Sequence, residues 1–294
     1  SALVKGGFGV EKDIHLGLEI EWLVVVLVAL VRQGEVSLNM GGRKIDSDDL
    51  EDAAQLGVGE ISKFTSISRP RSLPEQALRA LFEGLDLPEG WIVDSTKHEF
   101  AVRELNRKVE EELNLAVRAL EWLREGLHYW GEPLLSPDEQ QAWRDQLTGY
   151  KDFLDSLQHL TTPGRLRNFS HGIGEVRQSL RARELLAHVR DLNETLQALQ
   201  PHLAYIYQAE ILLSKETPWL EEARQVRGEH LQILGDPEQR RAATVRARLN
   251  GGLANLRSSY AQAYIKMHNR ARLNTTQDTR KKRLVQDTRW VKLK

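Results

Sequence analysis

Side chains able to do chemistry are numerous in this chain of 294 residues, but few stand at spacings that chemistry uses. Cysteine is absent, which excludes a thiolate nucleophile, a Cys-ligated zinc and a disulfide framework. The histidines are scattered: none forms H-E-x-x-H or an i, i+4 pair, and His98, His128, His159, His171, His188, His202, His230 and His268 each stand alone. A metal site would have to be gathered by tertiary structure, so no metal ligand is assigned. Lys5-Gly6-Gly7-Phe8-Gly9 is glycine-rich, yet no Lys followed by Ser or Thr comes after it to hold phosphate and magnesium. Acidic residues come in runs, at 46–52, at Glu110-Glu111-Glu112 and at Glu221-Glu222. Such runs read as solvated faces or as charges complementing helix N-termini, since catalytic carboxylates are few and sit in clefts. No catalytic residue and no cofactor is therefore assigned, and the expectation is a chain that is not itself an enzyme.

The basic residues are more informative. The net charge of −1 conceals a polarity: residues 240–294 carry a net of +13, and the residues before them a net of −14. Arg270, Arg272, Arg280, Lys281, Lys282 and Arg283 lie close together, with Arg289 beyond them and Asn274, Thr275, Thr276 and Gln277 between. Lys and Arg neutralise phosphates and release counterions, so these six are candidate nucleic-acid contacts whose binding would weaken steeply with salt. Without interleaved aromatics or a known motif, sequence-specific reading is not supported. A basic end can equally meet the acidic part of its own or a neighbouring chain. Trp122, Tyr129, Trp130, Trp143, Tyr150 and Phe153 cluster further upstream and could stack on bases or anchor a partner, but their helical spacing favours a bundle core.

The elements that position these groups fall into two parts, a small domain at 1–92 and a helical one at 93–294. In the first, residues 19–32 read as a helix, although Val24-Val25-Val26 is β-branched and also suits a buried strand. Val36, Leu38 and Met40 alternate with polar residues as in a strand, Gly41-Gly42 supplies a tight turn, and Arg43-Lys44-Ile45 returns. Arg43 and Lys44 are thus candidate nucleic-acid contacts on a wing. Asp46 is placed to cap a helix running to about residue 56, and Ser72-Leu73-Pro74-Glu75 has the form of a capping box. This inventory predicts a winged-helix-like α+β domain.

From Thr96-x-x-Glu99 onward the pattern is that of long amphipathic helices, predicting a mainly α protein with an elongated, coiled-coil-like bundle. Val102, Leu105, Val109, Leu113, Ala116, Leu120, Leu123 and Leu127 repeat at a mean close to the helical period. Ser136-Pro137-Asp138-Glu139 starts the next helix, with Trp143, Leu147, Tyr150, Leu154 and Leu157 on its apolar side. Residues 174–215 carry a heptad seam of Leu185, Val189, Leu192, Leu196, Leu199, Leu203 and Ile206 that continues in phase across Pro201, where a kink is predicted. Thr217-Pro218 begins a shorter helix. Asp236-Pro237-x-Gln239 caps the last long one, in which Asn250-Gly251-Gly252 predicts a bend or a close helix contact. The longest apolar run, residues 22–31, is half of the roughly 20 residues a membrane span needs. No secretory leader precedes it, and a cytoplasmic location is expected. The chain opens on Ser-Ala rather than Met, which reads as a piece of something longer.

Two segments carry a family likeness. Ile67-Ser68-Arg69-Pro70-Arg71-Ser72-Leu73-Pro74, continuing to Leu78-Arg79-Ala80-Leu81-Phe82-Glu83-Gly84-Leu85, resembles a stretch of the PglY/BrxC-like large ATPases of bacterial BREX and phage growth limitation defence systems. Tyr264-Ile265-x-Met267-His268-x-x-Ala271-Arg272-Leu273, followed by Arg280-Lys281-Lys282-Arg283-Leu284, resembles a second stretch of the same family. Those proteins are similar to AAA+-type ATPases whose nucleotide site lies upstream of this region, so no catalytic residue carries over. The resemblance implies a non-catalytic middle or C-terminal portion: an interaction and assembly module whose partners are other subunits of a defence complex or the ATPase domain of the same chain. A DNA-binding module using the wing and the basic C-terminal helix is the second expectation.

Overall fold

In a computed structural model the described residues are 19–213 and 217–286, apart from the side chain of Ala271. The glycine-rich segment at 5–9, Lys215 and Arg289 lie outside them. The protein is mainly helical, with a small antiparallel sheet near its N-terminus.

Helix α1 (Ile20–Arg32) turns Val24, Leu27 and Val31 to one side, where all three are buried. Its valine run is helical because burying that stripe outweighs the few tenths of a kcal/mol by which β-branched residues disfavour a helix. Strands β1 (Ser37–Met40) and β2 (Arg43–Ile45) pair antiparallel with Met40 opposite Arg43. Gly41 and Gly42 close the hairpin at φ 57° and 84°, the left-handed pair that a two-residue type I′ turn requires. After α2 (Leu50–Gln55) and α3 (Val58–Ile61), β3 (Ser66–Ser68) returns to the other edge of β1, placing Ile67 opposite Leu38. Val24, Leu27, Val31, Leu38, Ile45, Ala53, Ile61 and Phe64 form one core between helices and sheet.

Three caps expected from the sequence are not made. Helix α2 starts at Leu50 behind Asp49, and the Asp46 carboxylate instead accepts the Asp48 amide at 3.0 Å. Helix α4 (Glu75–Gly84) starts after Pro74. A residue that precedes proline is disfavoured in the helical region, so the turn at Ser72-Leu73 cannot wind. Thr96 instead lies in a 3-10 turn (Ser95–Lys97) that precedes the next long helix, and Asp94 caps that turn, accepting both the Thr96 amide (3.1 Å) and its hydroxyl (2.6 Å).

Beyond the short α5 (Gly90–Val93), α6 (His98–Glu125) buries Val102, Leu105, Val109, Ala116 and Leu123, while Leu113 and Leu120 are half-buried. A two-residue turn, Trp130-Gly131, joins β4 (His128–Tyr129) to β5 (Glu132–Pro133). Helix α7 (Pro137–Leu157) buries its whole predicted apolar set. The element expected at 174–215 is two helices, α8 (Ile173–Leu180) and α9 (Ala182–Leu212), broken at Arg181. On either side of the break Leu180 lies over Gly84 and Arg183 reaches Glu112. Helix α9 passes through Pro201 without ending, and all seven seam residues are buried.

Helix α10 (Pro218–Gly235) follows, then the single turn α11 (Pro237–Arg240), α12 (Val245–Ala271) and α13 (Thr275–Val285). Asp236 does cap, accepting from the Glu238 and Gln239 amides at 2.9 and 3.2 Å, but it caps α11, and the long helix starts anew at Val245. Gly251-Gly252 stays helical. A Cβ at Gly252 would meet the His230 ring, with Cε1 at 2.9 Å, so that glycine serves close approach of α10 to α12.

The chain forms two compact units. One holds the described residues up to Glu125 with Glu139–Ala187; the other holds Gly126–Asp138 and the residues from His188 onward. In the first, the 3-10 turn Gly164–Asn168 grips the N-terminal core. Arg165 reaches Glu51 at 3.0 Å, the Ser47 carbonyl at 3.3 Å and Thr161 at 2.9 Å, and Asn168 donates to Asp48 at 2.7 Å. A Cβ on Gly164 would lie 2.8 Å from the Val31 and Arg32 carbonyl oxygens and 2.7 Å from Ser47 Cβ, groups that cannot step aside. Gly164→Ala is accordingly expected to cost about 1–3 kcal/mol in urea denaturation. Gly149→Ala in α7, where nothing stands within 4 Å, is expected to gain up to about 1 kcal/mol from helix propensity.

Candidate interaction surface

The candidate basic residues divide between the two units. Arg43 and Lys44 lie on β2 in the first. The Arg43 guanidinium is held by Asp49 at 2.7 Å and Asp52 at 3.1 Å, and these hydrogen bonds raise its pKa above the usual arginine value. Its charge is thus already matched, while Lys44 is exposed with no ion pair among the described residues. The acidic run at 46–52 stays largely exposed, with Glu51 and Asp52 in the first turn of α2, and it also carries ion pairs: Asp48 and Glu51 meet Arg165, and Asp49 and Asp52 meet Arg43.

The other six candidates lie at the end of α12 and on α13. Arg270 is exposed in the last turn of α12, and Arg272 is exposed just after it. Helix α13 begins with a full capping box: Asn274 accepts the Gln277 amide at 2.8 Å, and the Gln277 side chain accepts the Asn274 amide at 2.9 Å. Those two polar residues, read from sequence only as flanks of a basic run, are what start the helix. The run at 280–283 occupies successive positions and so surrounds the helix instead of forming one face. Lys282 pairs with Asp278 at 3.1 Å, whereas Arg280, Lys281 and Arg283 have no ion pair among the described residues. No residue of α13 is buried. Leu273, Gln277, Leu284 and Val285 line an open, apolar hollow of about 480 Å³ edged by Arg280 and Lys281. Tyr264 and Ile265 on α12 are exposed as well. Apolar side chains with cations around them gain from a partner that is apolar at its centre and negative at its rim.

Most of the aromatic cluster serves the cores: Tyr129, Trp130, Trp143, Tyr150 and Phe153 are buried, while Trp122 is half-buried. Two histidine arrangements bear on chemistry. Ser156 Oγ lies 2.8 Å from His171 Nε2, and His171 Nδ1 lies 2.7 Å from Glu175, the contact order of a Ser–His–carboxylate relay. Ser156, however, donates to the Phe153 carbonyl at 2.6 Å and sits in the last turn of α7, where free carbonyls point outward. A relay needs N–H donors beside its nucleophile to hold an oxyanion, and a helix C-terminus offers the opposite polarity. The trio links α7 to the start of α8. In the second unit, His230 Nδ1 and Tyr129 Oη are hydrogen-bonded at 2.7 Å, both buried. Burial lowers the His230 pKa from 6.5 to about 4 and raises that of the Tyr129 phenol. Among the described residues no group of three or more His, Cys, Asp or Glu is arranged to hold a metal ion, and no helix is long and apolar enough to cross a membrane.

Sequence reasoning missed Glu112. It counted as part of a solvated run, yet its side chain is 7% exposed and receives Arg183 at 2.8 Å and the Tyr150 hydroxyl at 3.2 Å. Its signal was available: Glu112 lies three residues from Val109 and four from Ala116, on the buried stripe of α6.

Residues 74–268 match the family described as a family of unknown function (DUF6079), 5th domain, and residues 3–69 match its 4th domain. The chain belongs to this family. No curated protein and no solved structure matches it.

Two outcomes test this account. The unfolded chain takes up a proton on His230 near pH 6.5, and the folded one only near pH 4. His230 therefore contributes stability above about pH 6.5 that is lost as pH falls toward 4. The urea midpoint should fall across that window, less steeply in His230→Gln. A fluorophosphonate probe should leave Ser156 unlabelled; labelling that disappears in Ser156→Ala would show a working nucleophile and contradict the structural role given to the trio.

Proposed function

We propose that this chain is a non-catalytic interaction and assembly module of a large AAA+-like ATPase acting in bacteriophage defence. The observation that carries the reading is α13 with the end of α12, a capped helical segment whose apolar side chains are exposed beside unpaired cations. Numbering of the family's domains up to at least a fifth supports a part within a larger protein. The likeness of residues 67–85 and 264–284 to PglY/BrxC-like proteins supports the ATPase and defence assignment. Partners of this reading are the ATPase domain of the same protein or another subunit of a defence complex, presenting acidic surface to Arg270, Arg272, Arg280 and Arg283. The helix–hairpin–helix order of residues 20–61 supports describing the N-terminal part as winged-helix-like.

A second reading, duplex DNA binding, is favoured by the exposure of Arg280, Lys281 and Arg283, and weakened at the wing by the pairing of Arg43 with two carboxylates. Two measurements separate them. The remaining domains of a family member, supplied as a separate chain, should co-sediment with this one, and Leu284→Glu with Arg280→Glu should reduce the association about tenfold or more. Fluorescence anisotropy with duplex DNA at about 50 and 200 mM salt tests the other reading, since phosphate binding falls steeply over that range. No binding at the lower salt removes it. ATP hydrolysis by this chain alone would overturn both.

A further inference from the structure

A different surface carries a separate inference. Helix α1 is apolar on two opposite sides. Val24, Leu27 and Val31 face the core, and at about 100° per residue the opposite side carries Trp22, Val25, Val26 and Ala29. That side is open: Trp22 is 61%, Val25 55% and Val26 47% exposed, and Ala29 is exposed too. A helix apolar all round is normally covered all round.

The arrangement of this face matches a second copy of itself. About a two-fold axis near Val26, an antiparallel copy of α1 brings Trp22 of one chain within about one residue, roughly 1.5 Å along the axis, of Ala29 of the other, a large side chain beside a small one, twice. Glu21 and Arg32 are the charged residues within α1, and they lie eleven positions apart, about three turns, so they share one edge of the helix. In the antiparallel pair that edge sets Glu21 of each chain within about one residue of the level of Arg32 of the other, in reach of their long side chains. The neighbour already on that edge is Glu99, which holds Arg32 at 2.8 Å in an exposed bridge and leaves its other nitrogens available. We infer that the open face of α1 is a self-complementary interface through which two copies of this chain pair antiparallel. A 13-residue helix is about 20 Å long and cannot alone supply the roughly 800 Å² per partner of a standard interface. The pairing is therefore weak and concentration-dependent, with Kd on the order of tens of micromolar.

The absence of cysteine makes the test clean. Val26→Cys stands beside the two-fold axis, where two copies come within disulfide reach. Under mild oxidation it should form a covalent dimer about tenfold faster than Val93→Cys, whose site on α5 is 62% exposed. Adding Trp22→Glu should remove that advantage. In sedimentation velocity, Glu21→Arg should weaken association of the unmodified chain, and Glu21→Arg with Arg32→Glu should recover it. Equal cross-linking at both cysteines overturns the inference, as does a wild-type chain that stays monomeric at about 200 µM. A Trp22→Glu chain that loses thermal stability while both proteins sediment as monomers also overturns it, by showing that the face is covered from elsewhere.

Discussion

The packing of the first unit centres on one buried carboxylate and the partly buried arginine that pairs with it. Glu112 projects from α6 into a space where it is almost fully buried, and an unpaired carboxylate there would be expensive to keep charged. Arg183 from α9 answers it with two nitrogens, at 3.2 and 2.8 Å. Its remaining donors reach the Gly84 carbonyl and, at 2.8 Å, Asp86, while Lys108 approaches Glu112 at 3.5 Å. Tyr150 from α7 adds its hydroxyl, and burial together with Glu112 raises the pKa of that phenol. Two helices and the loop after α4 thus converge on α6 through one carboxylate. Replacing such a pair with apolar residues can be neutral, but removing one partner typically costs about 3–5 kcal/mol because the other is left buried and charged. The break between α8 and α9 belongs to the same arrangement, since Leu180 before it packs over Gly84 and Arg183 after it enters the network.

Many cations of the described helices and strands are matched by a carboxylate, at the surface as well as near the cores: Arg32 by Glu99, Arg43 by Asp49 and Asp52, Arg79 by Glu89. Arg165 is matched by Asp48 and Glu51, Arg183 by Asp86 and Glu112, and, at the surface, Arg227 by Glu132. The cations at the end of α12 and on α13 are mostly not, and they stand beside exposed leucine and valine side chains. Among the described residues, folding therefore leaves unmatched positive charge and an apolar patch together at this place, and a site for a partner follows from that coincidence more than from any single residue.

Much of this was legible in the sequence. The stripes of α6, α7 and α9 and the Gly41-Gly42 hairpin are where periodicity and turn chemistry put them, because those features depend on local spacing. Caps were harder to read. Ser72, Asp46 and Thr96 had the right side chains, but Pro74 follows the first, α2 begins behind Asp49, and Thr96 lies in a 3-10 turn capped by Asp94 ahead of α6. Strand β3 is three residues long and has no alternation to detect. The roles of Glu112, Gly164 and Gly252 rest on contacts with residues far away in the chain, which no local pattern encodes. Of the candidate site, the location of the unpaired cations was readable, whereas the neutralisation of Arg43 by Asp49 and Asp52 was not.

Hydrogen–deuterium exchange tests the interaction-module reading most directly. In the free chain, amides of α13 should exchange fastest among the long described helices, since no residue of that helix is buried, and those of α6 and α7 slowest. When the remaining domains of a family member are added, protection should appear at residues 264–285 and leave α6 unchanged. Protection elsewhere with α13 still open, or none at any concentration, would contradict the account.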